Sequence, residues 1–297
     1  MGSKVYEIVT QKIMEKLETA IQEGTAAPWH KPWDSSNIPI NHTTLRPYRG
    51  VNLLLLDSGE YLTWSQLCDL QKHRPELRLR KGSKAHMVVY FSFQESTKEV
   101  IKPDGQTEEK AVRIPFLKYY KVFSVEDVEG LEPHRQQVAY QHDPIEAAET
   151  VVRGYLDREP ALTLRYTDED RACYRPLVDE VSVPSMELYP NRAEFYSTLF
   201  HELTHSTGHP SRLNRLKAPA FFGDERYSKE ELCAELGAAM LCGHCGIDNS
   251  EASDNSVAYL QNWLATLKND TTLVVSAAAK AQRAADYILG LNREEAH

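Results

Sequence analysis

The sequence predicts an α+β protein of two domains: a small α+β N-terminal unit and a mainly helical second unit with a short sheet. Three observations carry this expectation. Strand-like stretches concentrate at residues 87–93 and 111–123, helically spaced apolar runs dominate beyond residue 145, and the charge changes sign between the halves. Residues 1–125 hold 18 Lys+Arg against 14 Asp+Glu, whereas residues 126–297 hold 16 against 29, so any polyanion is expected on the first half. A chain of 297 residues can bury two cores. The polar, aperiodic stretch from Pro133 to Pro144 marks the connection, giving domains at 1–127 and 145–297 with a linker at 128–144.

In chain order, Val5, Ile8, Val9, Ile13, Met14, Leu17 and Ile21 recur at helical spacing and predict a first helix over 4–23. A turn-rich segment with Pro28-Trp29-His30-Lys31-Pro32-Trp33 follows, then a short helix over 61–72 opened by Thr63. The strands at 87–93 and 111–123 are natural partners, and Pro103-Asp104-Gly105 is expected to turn a polar excursion between them. Beyond the linker come a helix near 145–157 and strands near 161–166 and 179–183. Four more helices follow, over the residues running into His205, 228–240, 253–268 and 271–290. The strand just ahead of the His205 helix is expected to border a cleft and pair with an extended peptide. No apolar run approaches the ~18 residues of a membrane span, and the N-terminus has no signal-peptide core. Five cysteines without a regular framework agree with a reducing cytoplasm, so a cytoplasmic location and no membrane partner are expected.

His201-Glu202-Leu203-Thr204-His205 is the most informative stretch. On one helix, imidazoles four residues apart share a face and can share a metal, while Glu202 lies about 100° further round as a candidate general base. A catalytic zinc needs a third protein ligand. Ser211 stands where a further histidine would fall in one arrangement, and His209, after helix-breaking Gly208, is given a supporting position at most. The next helix offers Glu231 and Glu235 on one face, with Ala234, Gly237 and Ala238 small enough for close helix approach. Glu231 is therefore the expected third ligand and Glu235 the group orienting a ligating histidine, while Glu230 fits an exposed acidic first turn. The expected ion is Zn2+, with another divalent ion such as Mn2+ compatible. Cys242-Gly243-His244-Cys245 ends an Ala-rich helix, where the dipole has the wrong sign for a reactive thiol, so a buried helix end is expected there.

Arg74, Arg78, Arg80, Lys81 and Lys84 cluster around Gly82 beside Tyr90 and Phe91, with Trp29, Trp33, Tyr48, Arg49 and Trp64 near in sequence. Cations that track phosphates, interleaved with aromatics that stack on unpaired bases, suit single-stranded DNA. The alternatives are a solvated basic face and tryptophans serving as loop or core anchors.

Several segments together resemble one family. They are Pro28 to Trp33, Asn41, Tyr48-Arg49-Gly50-Val51-Asn52, Leu62-Thr63-Trp64, Arg80-Lys81-Gly82, His201 to His209, Glu230 to Glu235, and Ala258-Tyr259-Leu260 with Trp263. In this order and over nearly the whole chain, they resemble the ArdC-type antirestriction proteins of mobile elements, whose first domain is also similar to part of some plasmid primases. Lys84-Ala85-His86 departs from the family's more usual second Lys-Gly step. The resemblance implies an N-terminal single-stranded-DNA-binding domain joined to a zincin-like metallopeptidase domain, protecting incoming DNA from restriction. It adds Asn41 and Asn52 to the expected DNA contacts and a peptide or protein, including restriction machinery, to the expected partners. Two rival readings are a strand-occluding protein with a structural metal, and a metallopeptidase acting on a cellular protein.

Overall fold

The computed structural model describes residues 2–29, 38–101, 107–134, 144–169, 171–216, 225–248 and 257–291. The first unit comprises α1 (Gly2–Glu23), β1 (Ile40–Asn41), α2 (Asn52–Leu55), β2 (Glu60–Thr63), α3 (Trp64–Gln71), β3 (Arg78–Leu79), β4 (His86–Ile101), β5 (Thr107–Ser124) and β6 (Val128–Glu129). The second comprises α4 (Pro144–Arg158), β7 (Thr163–Thr167), β8 (Cys173–Arg175), β9 (Glu180–Pro184), α5 (Arg192–Ser206), α6 (Glu225–Cys245), α7 (Val257–Asn269) and α8 (Leu273–Ile288). The α+β class expected from the sequence is the one observed. Among the described residues no helix is long and apolar enough to cross a membrane.

In the first unit, β1-β2-β5-β4 form one sheet and β3 pairs with β6. Thr63 opens α3 as expected, its hydroxyl accepting from Gln66 N while the Gln66 side chain accepts from Thr63 N, a reciprocal capping box. The β4–β5 ladder is longer than the sequence suggests, running from His86↔Val122 to Ile101↔Thr107. Gln94 to Glu99 lacks apolar alternation, but ladder hydrogen bonds do not require an apolar face, so a hairpin can run on through such residues. The turn expected at Pro103-Asp104-Gly105 lies outside the described residues. So does most of the expected linker, but its first residues belong to the first unit: Val128 and Glu129 form β6, and Val128 and Leu131 are buried with Leu62, Leu67 and Leu77.

The two units share their main core. α1 presents Val5, Val9, Ile13 and Leu17, each 9% exposed or less, to a cluster that includes Leu260, Trp263 and Leu267 of α7 and Val274 of α8. Each such burial contributes roughly 1.5–3 kcal/mol before the entropy of ordering is subtracted. Thr10 Oγ1 also donates to Thr271 O at 2.7 Å. Among the described residues, the first unit buries two small clusters on its own, one around Leu62 and one of Leu56, Tyr61, Val88 and Val122. Five of the six alanines of α8 face inward, with Ala277, Ala278, Ala281, Ala284 and Ala285 buried.

One expectation about the cleft is corrected. The strand ahead of α5 is β9, and it is the centre of its sheet, parallel to β7 on one side and antiparallel to β8 on the other. Both edges of β9 are taken, so it has no hydrogen-bonding edge left for a peptide.

Candidate metal centre

Asn191 caps α5 by accepting from Glu194 N at 2.9 Å, and Phe195, Tyr196, Leu199, Phe200 and Leu203 bury its opposite side. This fixes the rotation of the helix and turns His201 and His205 together toward α6. Their Nε2 atoms lie 3.0 Å apart. Glu231 approaches both, with its carboxylate oxygens 3.5 Å from His201 Nε2 and 3.4 Å from His205 Nε2. Neighbouring donors on a tetrahedral ion with bonds near 2.0–2.1 Å sit about 3.3 Å apart, so the three side chains fit a divalent cation with little rearrangement. Close helix approach makes this possible: a Cβ on Gly237 would meet Thr204 Cγ2 at 2.5 Å, so glycine is what admits α5 there.

The outer imidazole nitrogens also face carboxylates. His201 Nδ1 faces Glu235 at 3.6 Å, as expected, and His205 Nδ1 faces Glu230 at 3.4 Å. Glu230 is thus not an exposed first-turn acid. Its side chain is 15% exposed and accepts two hydrogen bonds from Arg215, at 2.8 and 3.2 Å. Behind Glu235, the Tyr259 phenol sits against its carboxylate and against the indoles of Trp29 and Trp263, and burial raises that phenol's pKa. A residue of the first unit, Trp29, therefore backs the group that faces His201.

Burial acts to lower the pKa of both imidazoles, but the carboxylates outweigh it. His201 is raised chiefly by Glu231, and His205 is raised to about 10 by Glu230 and Glu231. For Glu231, burial opposes ionisation and the two imidazoles override it, holding the carboxyl well below its usual range. Glu202 is 8% exposed and close enough for its charge to raise both imidazoles.

Not every expected position joins this centre. The His209 ring hydrogen-bonds Ser211 Oγ at 2.7 Å and shapes the turn after α5 rather than supporting a ligand. Cys242 and Cys245 are fully buried in the main core, and burial pushes both thiols up, Cys245 to about 12. His244 is exposed, so that motif is a packed helix end.

The residues expected to contact DNA are dispersed. Trp29 is buried at 0% exposure, edge-on to Trp263 at 6.1 Å, and offers no face to a base. Trp33 lies outside the described residues. Asn41 is spent on a turn: its Oδ1 accepts from Thr43 N, Thr44 N and Gln66, and its amide reaches the Tyr48 hydroxyl. Tyr48 is half-buried against Tyr61. Arg49 pairs with Asp286 of α8, and the neighbouring Gly50 N donates to Gln282 at 3.0 Å, so this stretch clamps the two units together. Asn52 exchanges hydrogen bonds with the Val89 main chain at 2.9 and 2.8 Å. Arg78, Arg80, Lys81 and Lys84 remain exposed on the path from β3 into β4.

Fold and centre together define the class: a two-domain protein with a helical metallopeptidase-type domain, of the kind that holds a divalent metal. Residues 3–123 match the N-terminal domain of the anti-restriction factor ArdC, and residues 157–280 match a zincin-like metallopeptidase domain. Two solved structures of the antirestriction ArdC protein from plasmid R388 are similar. The metal-free form is 33% identical with a TM-score of 0.67, covering 95% of this chain and 96% of that one. The Mn(II)-bound form is 31% identical with a TM-score of 0.66, covering 97% and 99%. The chain belongs to the ArdC antirestriction family. It is also 30% identical over 308 residues to a DNA primase TraC of Escherichia coli, covering 98% of this chain, and spans only 20% of that primase. An uncharacterised protein, y4eC, of Sinorhizobium fredii is 28% identical, covering 96% of this chain and 91% of its own length.

Proposed function

We propose that this chain is a cytoplasmic antirestriction protein of a mobile element, binding single-stranded DNA through its first unit and carrying a zinc-dependent peptidase centre in its second. The observation that carries the second half is the convergence of His201, His205 and Glu231 with Glu202 beside them. A divalent ion held by those three side chains supplies Lewis acidity to a substrate carbonyl and to water. Glu202 takes the proton of the attacking water and passes it to the leaving amine. Glu235 and Glu230 hold the outer nitrogens of His201 and His205, which keeps the inner nitrogens turned to the ion. Glu202→Gln is expected to leave metal content unchanged and to lower hydrolysis of a fluorescently labelled unfolded protein by about 10²–10⁴-fold. Equal turnover by the variant would remove Glu202 from the chemistry.

For DNA, the surface that supports the reading is the part of one β4–β5 ribbon face that runs on past the buried Val88 and Val122, beyond their cluster with Leu56 and Tyr61. Tyr90 is 65% and Tyr120 47% exposed, large aromatics with no core to fill. Opposed pairs Val88↔Tyr120 and Tyr90↔Lys118 put all three polar-tipped side chains on one face, the two tyrosines as diagonal neighbours. Lys118 Nζ lies 4.9 Å over the Phe116 ring, and exposed Arg80, Lys81 and Lys84 lead into the same strand. Stacking rings bordered by cations suit unpaired bases. Replacing Tyr90 and Tyr120 by alanine is expected to weaken fluorescence-polarisation binding of a single-stranded oligonucleotide about tenfold or more per ring. Tyr90→Phe with Tyr120→Phe should bind as the unaltered chain does. Undiminished binding by the alanine variant would discard this face.

A further inference from the structure

We propose a second divalent-cation site in the first unit, formed by His42, Glu60 and His134, for an ion such as zinc, cobalt or nickel. Among the described residues, two groups of histidines and acids bring donor atoms together within 4.8 Å: the α5–α6 centre and this one. The pairing of β1 with β2 builds its base. His42 N donates to Tyr61 O at 2.8 Å, which holds His42 in line with β1, and Glu60 opens β2 opposite Ile40. Their side chains meet at 2.6 Å between His42 Nδ1 and Glu60 Oε2, and each residue is only 4% exposed. The third donor arrives from the end of the unit. Leu131 is anchored in the Leu62 cluster, and three residues later the His134 ring stacks on His42 with centroids 4.2 Å apart and planes inclined by 23°.

Two imidazoles and one carboxylate are the donor set of late first-row ions, whereas magnesium and calcium prefer oxygen alone. Ligation through His42 Nδ1 opens the 2.6 Å contact to about 3 Å, the spacing of adjacent donors on a six-coordinate ion with bonds near 2.1 Å. That movement is within reach of one carboxylate rotation, and exposed His134 must turn out of its stack on His42, because an imidazole lone pair lies in the ring plane and stacked rings do not aim at one ion. His134 is exposed, so the ion would enter from solvent and leave open positions on that side. Held there, it ties the β1–β2 corner to the segment by which the chain leaves the first unit. The ion would therefore staple that unit at its exit.

The site is tested on the full metal-free chain by zinc titration with elemental analysis. The unaltered protein should bind two equivalents. His201→Ala with His205→Ala should keep one, and adding His134→Ala should lower the affinity for it about tenfold or more. Should the double variant fold poorly, His134→Ala alone must reduce the unaltered chain's two equivalents to one at low zinc. One equivalent in the unaltered chain, lost with His201 and His205, would overturn this proposal and leave the α5–α6 centre standing. A second equivalent indifferent to His134→Ala would overturn it too.

Discussion

Glu231→Ala is expected to weaken divalent-metal binding at the α5–α6 centre by more than the roughly 10- to 100-fold seen when an outer partner of a ligand is lost. Among the described residues, this carboxylate is the one found at the inner nitrogens of both His201 and His205, at 3.5 and 3.4 Å, so its removal takes a donor and a compensating charge together. The dependence on pH should change with it. A cation must displace protons from imidazoles whose pKa the carboxylates have raised, His205 to about 10. Metal affinity therefore rises with pH, about tenfold per unit for each proton displaced, until the pH passes that value. Glu231 adds nothing to the slope, since it is held ionised. Glu231→Ala removes one cause of the raised imidazoles and should give a shallower slope. Calorimetric titration between pH 6 and 8, in buffers of different ionisation enthalpy, reads both affinity and proton release. The metal-free fold carries the opposite sign. His205 protonation stabilises it fully below the imidazole's unfolded value near 6.5, and that contribution is lost as pH rises through about 10.

The largest effect on stability is expected from Arg212→Leu, a loss of about 3–5 kcal/mol. The Arg212 side chain is fully buried and is the hub of the second unit. It pairs with Asp179, lies 3.4 Å from Glu159, donates to the Tyr174 hydroxyl at 3.1 Å and holds Ser206 O at 2.7 Å. Asp179 sits in the left-handed region, at φ 48°, at the turn between β8 and β9, so the guanidinium fastens that turn to the end of α5. Leucine leaves the partly buried Asp179 and Glu159 without their cation. Lysine cannot replace the planar fork and should recover little. Thermal unfolding should fall by about 6 °C or more, and a change under about 1 kcal/mol would contradict the role given to this network. Because Ser206 follows His205 directly, the variant should also loosen metal binding, which Tyr155→Phe, touching Ser206 from the other side at 2.9 Å, should do only weakly.

What could be read from the chain follows the range of the interactions. The His201/His205 pair and the Glu231/Glu235 pair are local spacings on single helices, and small residues at 234, 237 and 238 foretold that the helices meet. Glu230, Arg212 and Arg215 were invisible for the opposite reason. Their partners lie across a turn or on other elements, and an acid in the first turns of a helix looks the same whether it faces water or an imidazole. Trp29 misled because a tryptophan between polar residues and prolines carries no mark of its environment. Its partner, Trp263, is 234 positions away. Tyr90 and Tyr120 were within the strands expected, but alternation alone does not say which face the core takes when both faces carry aromatics. β9 was found as a strand, yet its central place in the sheet depends on β7 and β8, which only the three-dimensional pairing reveals.

The central claim is that two helices aim His201, His205 and Glu231 at one ion. Anomalous diffraction at the zinc edge, from crystals of the full chain grown with zinc, measures it directly. The account predicts a peak within bonding distance of both Nε2 atoms and a Glu231 oxygen, with Glu202 near but not ligating. A map with no peak between α5 and α6, or with those three side chains turned away from one another, would contradict it.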